Sequence, residues 1–346
     1  MRLGLREELV EAGLARPSDP VRDIQIDDSR SGVRGSCWVP SGFVWLERGP
    51  EELGPPSSRV LHAIRQALDR DDLLRGAAAL PVVTPSGTAV YGELPTDSIM
   101  VDALMPEPDG RHRDWPSFAE DCRFLGTFLA RLHSAESSGA NAVALLREDV
   151  AMRRVVELLH RGRGDPPATL GLERLQEHLL TGFPELAGAL RSLCMSSGRA
   201  ARSVVLHGRF SSGFVIRDSA APTGSPKVIG WLEASYGPAA WDVGWFVAEL
   251  LEVAAGWREL STAREATVRH GAVVFLGAYA SARSGPLGED FYHALAGYSA
   301  FKIVHHLWMF AAFMPYEVAT AEALLEAASA ALDHDWLALL ATEGAT

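Results

Sequence analysis

The sequence predicts an α+β chain in two parts: a small β-rich lobe, then a larger helical lobe carrying one β-hairpin. Three observations predict it. Short apolar runs broken by Gly, Pro and Ser fill the first third, which is the punctuation of strands and tight turns. After Pro106, apolar residues recur at three- and four-residue spacing, the period of helices. A non-helical island at 204–232 interrupts that helical region. With 346 residues, 47% hydrophobic and 22% charged, the composition is that of a globular protein of one large or two modest domains.

Residues 1–20 carry a short amphipathic helix over 3–14, with Leu3, Leu5, Leu9 and Leu14 as its apolar positions. The β-rich lobe spans 21–105. Its expected strands are 35–39, 43–47, 81–84 and 99–104, and its one helix is 57–69, where Val60, Leu61, Ile64 and Leu68 fall at helical spacing. Ser57 or Ser58, after Pro55-Pro56, supplies the N-cap. The helical lobe is 106–346. Phe118, Cys122, Leu125, Leu129 and Leu132 make one apolar helix face, and further helices are expected at 143–160, 171–180 and 184–194. Within the island, 204–206, 213–217 and 227–232 read as short strands, the last two joined by a turn-rich stretch. Helices resume near Trp241.

Charge and composition exclude several classes. Thirty-two basic against 44 acidic side chains leave a net charge of −12, which disfavours duplex nucleic acid and anionic membranes as the main partner. Cys37, Cys122 and Cys194 are widely spaced, so neither a disulfide framework nor a structural zinc site is expected. No metal constellation is evident. The N-terminus lacks the apolar core of a secretory signal. The most apolar stretch, about 296–314, is interrupted by Lys302, His305 and His306 and reads as a core helix. A cytoplasmic location is the expectation. Lysine occurs only at 227 and 302, and asparagine only at 141. A mechanism needing an N-terminal Lys or a second Asn is therefore excluded.

The island reads Val204-Val-Leu-His-Gly-Arg-Phe-Ser-Ser-Gly-Phe-Val-Ile, followed by Val228-Ile-Gly-Trp-Leu-Glu-Ala-Ser-Tyr-Gly-Pro-Ala-Ala-Trp-Asp-Val-Gly. It resembles the aminoglycoside phosphotransferase branch of the protein-kinase-like fold, whose members show H-G-D-x-x-x-x-N, a hairpin, then an I-D-W segment ending in G-D-P-x-x-D-L. Phe124-Leu-Gly-Thr-Phe-Leu-Ala-Arg-Leu-His-Ser is similar to that family's helix after the hinge. The resemblance covers nearly the whole chain and implies a two-lobed kinase-like fold with the motif hairpin at 204–232.

The same resemblance assigns chemistry that the residues do not match. Phosphoryl transfer uses an Asp to receive the substrate proton, an Asn and a second Asp on magnesium, and a strand Lys on the nucleotide phosphates. At those positions stand Arg209, Phe214, Gly230 and, in Val44-Trp-Leu-Glu-Arg, Glu47 with Arg48 beside it. The helix Glu that would pair with the Lys falls near Arg59, so a charge-reversed Glu47–Arg59 pair is expected. Ser31-Gly-Val-Arg-Gly-Ser is a loose substitute for the glycine-rich loop. No metal is expected, because Phe and Gly cannot hold a hard cation.

His207 and Gly208 remain from the motif. The imidazole either anchors the loop or carries a proton. Asp242 fixes loop backbone. Arg209 needs an anion, either a carboxylate such as Glu233 or a bound phosphate or peptide acid. Two functions are compatible with this set. One is a pseudokinase binding a peptide or protein partner. Here His207-Gly-Arg-Phe-Ser-Ser-Gly and Gly230-Trp-Leu-Glu-Ala resemble kinase-like proteins that work beside a lyase on class V lanthipeptide and thioamitide precursors. The other is an active phosphotransferase using ATP and magnesium on a peptide Ser/Thr or a small hydroxylated molecule such as an antibiotic. His207, Arg209, Glu233 and Asp242 would then do the chemistry. Glu47, Arg48, Arg59, Arg209, Phe214, Gly230 and Glu233 are the candidate ligand-binding residues.

Overall fold

A computed structural model describes residues 4–29, 32–49, 58–96, 98–105, 117–135, 150–160, 170–196, 203–217, 225–258, 260–283 and 285–333. Ser31, Ser57, Asn141, 143–149 and most of the turn after Arg217 lie outside the described residues. The chain divides into two compact units. Met1–Ser117, Ala135–Ala140 and His207–Ser235 form one; Phe118–Ser134, Asn141–Leu206 and Tyr236–Thr346 form the other.

The first unit is built on a five-stranded antiparallel sheet. Helix α1 (Leu5–Glu11) leads into β1 (Arg22–Ser29), β2 (Gly32–Val39) and β3 (Gly42–Arg48); α2 (Ser58–Arg70) and α3 (Asp72–Ala77) precede β4 (Val82–Val83) and β5 (Ala89–Leu94). The strand order is β1-β2-β3-β5-β4. Alternation along the strands gives the sheet two different faces. Val33, Cys37, Val39, Val44, Leu46 and Val90 join Leu5 and Leu9 of α1 in an apolar cluster. The intervening residues, including Arg34 and Glu47, point the other way, and the β2–β3 register sets these two directly opposite each other.

Two expectations are corrected. The stretch 99–104 is not a strand: Met100–Leu104 is a short helix, α4. Its apolar residues have no ladder to join beyond a single bridge from Ile99 to Ile216. Nor does the lobe carry only the one helix expected at 57–69, since α3 and α4 accompany α2, and β5 pairs with β3.

The motif hairpin belongs to this same unit. Strands β7 (Val215–Ile216) and β8 (Lys227–Val228) pair, with short 3-10 turns at Ser212–Phe214 and Trp231–Glu233. Ala79 N–H donates to the Val228 carbonyl at 2.9 Å and Arg217 N–H to that of Ser98 at 3.2 Å. Lys227 donates to the carbonyl of Gly76 in α3. These bonds satisfy backbone groups that a short hairpin could not pair internally.

The second unit is helical, with two short strands, β6 (Val204–Leu206) and β9 (Ser235–Gly237), at its boundaries. Its helices are α5 (Phe118–Ser134), α6 (Val150–His160), α7 (Leu170–Gly182), α8 (Pro184–Ser196), α9 (Ala240–Trp257), α10 (Thr262–Ala282), α11 (Glu289–Phe313) and α12 (Val318–Leu332). All five positions of the face predicted for α5 are buried. Gly126 lets α5 approach α10 closely: a Cβ there would lie 2.3 Å from the Phe275 carbonyl oxygen. Among the described residues, no helix is long and apolar enough to cross a membrane. Helix α11 is instead a core helix whose Lys302 is buried against Glu252.

Candidate functional site

The motif residues and the outward face of the sheet meet around one aromatic ring, Phe214. Gly230 adopts φ +87, a left-handed conformation that glycine alone takes without strain. Phe214 is seated against it, so that a Cβ at 230 would lie 2.3 Å from the ring. The two positions that the resemblance assigns to magnesium therefore depend on each other sterically. Phe214 fills the space into which any residue-230 side chain would project. Neither position offers a side-chain oxygen, and among the described residues no group of three or more His, Cys, Asp or Glu could hold a metal ion. These residues do not fit magnesium.

Two guanidiniums approach the same ring. Arg209 lies 4.7 Å from its centroid and Arg34 5.5 Å, both within cation–π range. Arg209 Nη1 also donates to Glu233 Oε1 at 2.8 Å. The pair keeps partial access to solvent, with side chains 27% and 21% exposed. Of the two partners foreseen for Arg209, the structure supplies the carboxylate.

Glu47 sits beneath this cluster and is buried. Its carboxylate accepts from Tyr91 Oη at 2.7 Å, and that hydroxyl accepts the backbone N–H of Trp231 at 2.8 Å. Tyr91 thus ties the strand carboxylate to the backbone following Gly230. Burial raises the Glu47 pKa above its ordinary value; the charges of Arg209 and Arg34 and the Tyr91 hydrogen bond offset only part of that.

Glu47 and Arg59 do not form the expected charge-reversed pair. Arg59 is exposed on α2, and the charges acting on Glu47 come from Arg209, Arg34 and Glu233. Arg48 does not join the cluster either. Strand alternation sends it to the α1 side, where it pairs with Glu8 and donates to Thr88 Oγ1 and Ser86 Oγ. Burial alone would raise the Glu8 pKa, but hydrogen bonds from Thr84, Ser86 and Thr88 and the Arg48 charge hold it below its ordinary value.

The retained motif residues organise backbone. His207 is fully buried and its Nε2 lies 2.7 Å from the Ile229 carbonyl oxygen, which makes that nitrogen the donor. Its Nδ1 then accepts from Arg209 N–H at 3.4 Å. This is the anchoring role. Gly208 has φ +91, and a Cβ there would collide with the Glu233 carbonyl oxygen at 1.9 Å. In the helical unit, Asp242 is fully buried and its Oδ2 lies 3.3 Å from His133 Nε2. His133 Nδ1 in turn meets Tyr279 Oη at 2.8 Å. Burial lowers the His133 pKa despite Asp242. One partner of Asp242 is thus a side chain of the Leu-Ala-Arg-Leu-His helix.

Arg34 and Tyr91 were not among the residues singled out from sequence. The signal for Arg34 was present in the turn between 39 and 42, which fixes the register placing it opposite Glu47. Tyr91 had no comparable signal, because β5 was not recognised.

Searches of sequence found nothing similar: no family model and no curated protein matches the chain. Solved structures do resemble it. A glucosamine kinase in complex with glucosamine, ADP and inorganic phosphate superposes with a TM-score of 0.57 at 18% identity, covering 96% of this chain and 84% of that one. An ethanolamine kinase from Plasmodium vivax gives 0.55 at 12% identity, covering 94% and 88%. A choline/ethanolamine kinase family protein from Mesorhizobium loti gives 0.51 at 14% identity, covering 97% and 98%. The chain has a two-lobed, kinase-like α+β fold. At such identities the likeness carries the fold alone, and function rests on the residues of the site.

Proposed function

We propose that this kinase-fold chain is a binding component of the pseudokinase type, holding a peptide or protein partner without conventional ATP–magnesium phosphotransfer. The observation that carries this reading is Phe214 seated on Gly230. An aromatic ring occupies the space of a metal-binding side chain, and a guanidinium, Arg209, stands where a proton acceptor is required. An arginine stays protonated at any physiological pH and cannot serve as a general base. The resemblance of the His207 and Gly230 segments supports a more specific setting. There the protein works beside a lyase, in the phosphorylation and dehydration of Ser or Thr in a ribosomally made peptide.

The alternative, an active phosphotransferase with a non-standard site, is favoured by the solved structures it resembles, which are described as kinases. The side chains it would recruit are already engaged. His207 Nε2 is committed to Ile229, Glu233 to Arg209, and Asp242 faces His133.

Calorimetric titration with ATP, with and without magnesium, separates the two. The binding reading expects no magnesium-dependent binding and no turnover. Magnesium-dependent ATP binding followed by ADP release would overturn it. A ligand specific to the native state, at 100 times its dissociation constant, adds about 2.7 kcal/mol of stability, so thermal melts give a second readout.

A further inference from the structure

The two edges of the five-stranded sheet differ in what they offer an outside chain. At one edge, β4 is only Val82–Val83 and lies between Pro81 and Pro85. A strand that short, flanked by prolines, presents little backbone for pairing. At the other edge, β1 runs eight residues without a proline or a lysine. Among the described residues it pairs with β2 alone, and from Gln25 to Ser29 that ladder is regular. Its outer backbone groups therefore stand in register for a further strand, along roughly 25 Å of edge.

The start of that edge adjoins a place for a side chain. Arg22, just before the register shift of β1, lines an open depression of about 410 Å³ together with Pro20, Trp38, Val39 and Pro40. Phe43 packs against Trp38, with ring centroids 5.3 Å apart. Ile24, within the shift, is 54% exposed. A pairing edge beside an apolar pocket is the combination by which strand addition recognises a peptide. Charge decides between occupants. The β1 sequence holds Asp23, Asp27 and Asp28 against Arg22, and the whole chain carries −12. A second copy added edge to edge would bring together two strands of the same negative sign, which is destabilising. A basic segment meets the opposite sign.

We infer that β1 is the docking edge for an extended basic peptide, which adds as a further strand and seats one apolar side chain against Trp38. This deepens the binding function proposed above and rests on it. Main-chain bonds to β1 supply the affinity, while the depression and the charge select the segment.

The test uses the full chain and a fluorescein-labelled probe, Lys-Val-Lys-Leu-Thr-Val-Lys-Val-Lys. Fluorescence anisotropy should show saturable binding that weakens with added salt. Methylating alternate backbone nitrogens of the probe should weaken it about tenfold, since main-chain bonds carry the affinity. A probe with every Lys replaced by Glu should bind severalfold more weakly. Hydrogen exchange in the complex should slow over 22–29 and stay unchanged over 82–83. Ile24→Lys puts a like charge at an exposed edge position and should weaken binding severalfold without moving the melting temperature. Trp38→Ala should weaken the probe but no longer distinguish it from one in which Ala replaces Leu, a coupling that misfolding cannot mimic. No binding at millimolar probe, equal binding of the methylated or Glu probe, or protection outside β1 would overturn the inference. So would a concentration-dependent dimer in sedimentation that protects β1 without peptide, because the edge would then belong to a second copy. None of these failures touches the ATP–magnesium titration. Turnover there, conversely, would remove the binding-protein reading whatever the peptide affinity.

Discussion

Glu47 in the sheet unit and Glu252 in the helical unit are both buried carboxyls, yet they are held on opposite terms. Glu252 is in direct contact with Lys302, and His306 Nδ1 lies 3.0 Å from the same oxygen. Burial alone would raise its pKa, but Lys302 and His306 outweigh burial and hold it below its ordinary value. Among the described residues Glu47 hydrogen-bonds a phenol, with the arginines acting on it as charges, and burial wins. In the helical unit a cation is committed to its carboxylate and both are sealed away. In the sheet unit the carboxyl is buried while the cations that act on it keep access to solvent. The first arrangement outweighs the cost of burying the carboxyl; the second does not. Lys302 belongs to the first kind of use, whereas Lys227 stays near solvent and donates to a helix carbonyl.

The largest effect is expected from breaking the helical-unit pair. Lys302→Met leaves Glu252 buried without its cation, and among the described residues its Oε1 already lacks a hydrogen bond. Removing one partner of a buried ion pair costs about 3–5 kcal/mol, to be read from the midpoint of urea unfolding. Glu47→Gln should cost far less at neutral pH, because the amide keeps an acceptor for Tyr91 and removes a titrating group that burial disfavours. A loss as large as that of Lys302→Met would mean that Glu47 is ionised and paired, and the comparison would fail.

Next in size is the steric lock. Gly230→Ala introduces a Cβ both at positive φ and 2.3 Å from Phe214. Backbone strain and overpacking together should cost about 2–4 kcal/mol. Phe214→Ala opens the space, so the double variant should recover about 1 kcal/mol or more relative to additivity. Strict additivity in a double-mutant cycle would show that the ring and the glycine are independent.

The two carboxyls should also give opposite pH slopes. For Glu252 the folded pKa is depressed below 4.5, so its contribution is present above that value and is lost as pH falls through the folded pKa. For Glu47 the folded pKa is raised above 4.5, so its contribution is present below that value and is lost as pH rises through the folded pKa. Each slope is bounded at about 1.4 kcal/mol per pH unit for one proton. Subtracting the Glu47→Gln profile from that of the unsubstituted protein should isolate the second. A difference that shrinks toward acid would reverse its assignment.

The division between what sequence shows and what it hides follows the same physics. The α5 face and the core character of α11 were legible because burial imposes a period on many residues at once. Arg209, Phe214 and Gly230 were legible because the surrounding motif has fixed spacing. Neither β5 nor helix α4 was read correctly. Ala89-Val-Tyr-Gly-Glu-Leu is broken by a glycine, and Ile99-Met-Val-Asp-Ala-Leu has the apolar richness of a strand within a single helical turn. With β5 unread, Tyr91 could not be placed beside Glu47. The fates of Glu47 and Arg48 required strand alternation to be combined with knowledge of which face α1 covers, and that is tertiary information.

Arg59 supplies the smallest expected effect and the sharpest control. As a sequence position it had the same standing as Arg209: a cation where the resemblance implies an anion. In the structure it is exposed on α2, remote from the interactions that set the state of Glu47. Arg59→Ala exchanges one strong helix former for another at a solvent-exposed site, so stability should stay within about 0.5 kcal/mol. A loss approaching that of Lys302→Met would show that Arg59 is committed to a partner on which the fold depends, and the distinction between a sealed cation and an exposed one would have to be redrawn to include α2.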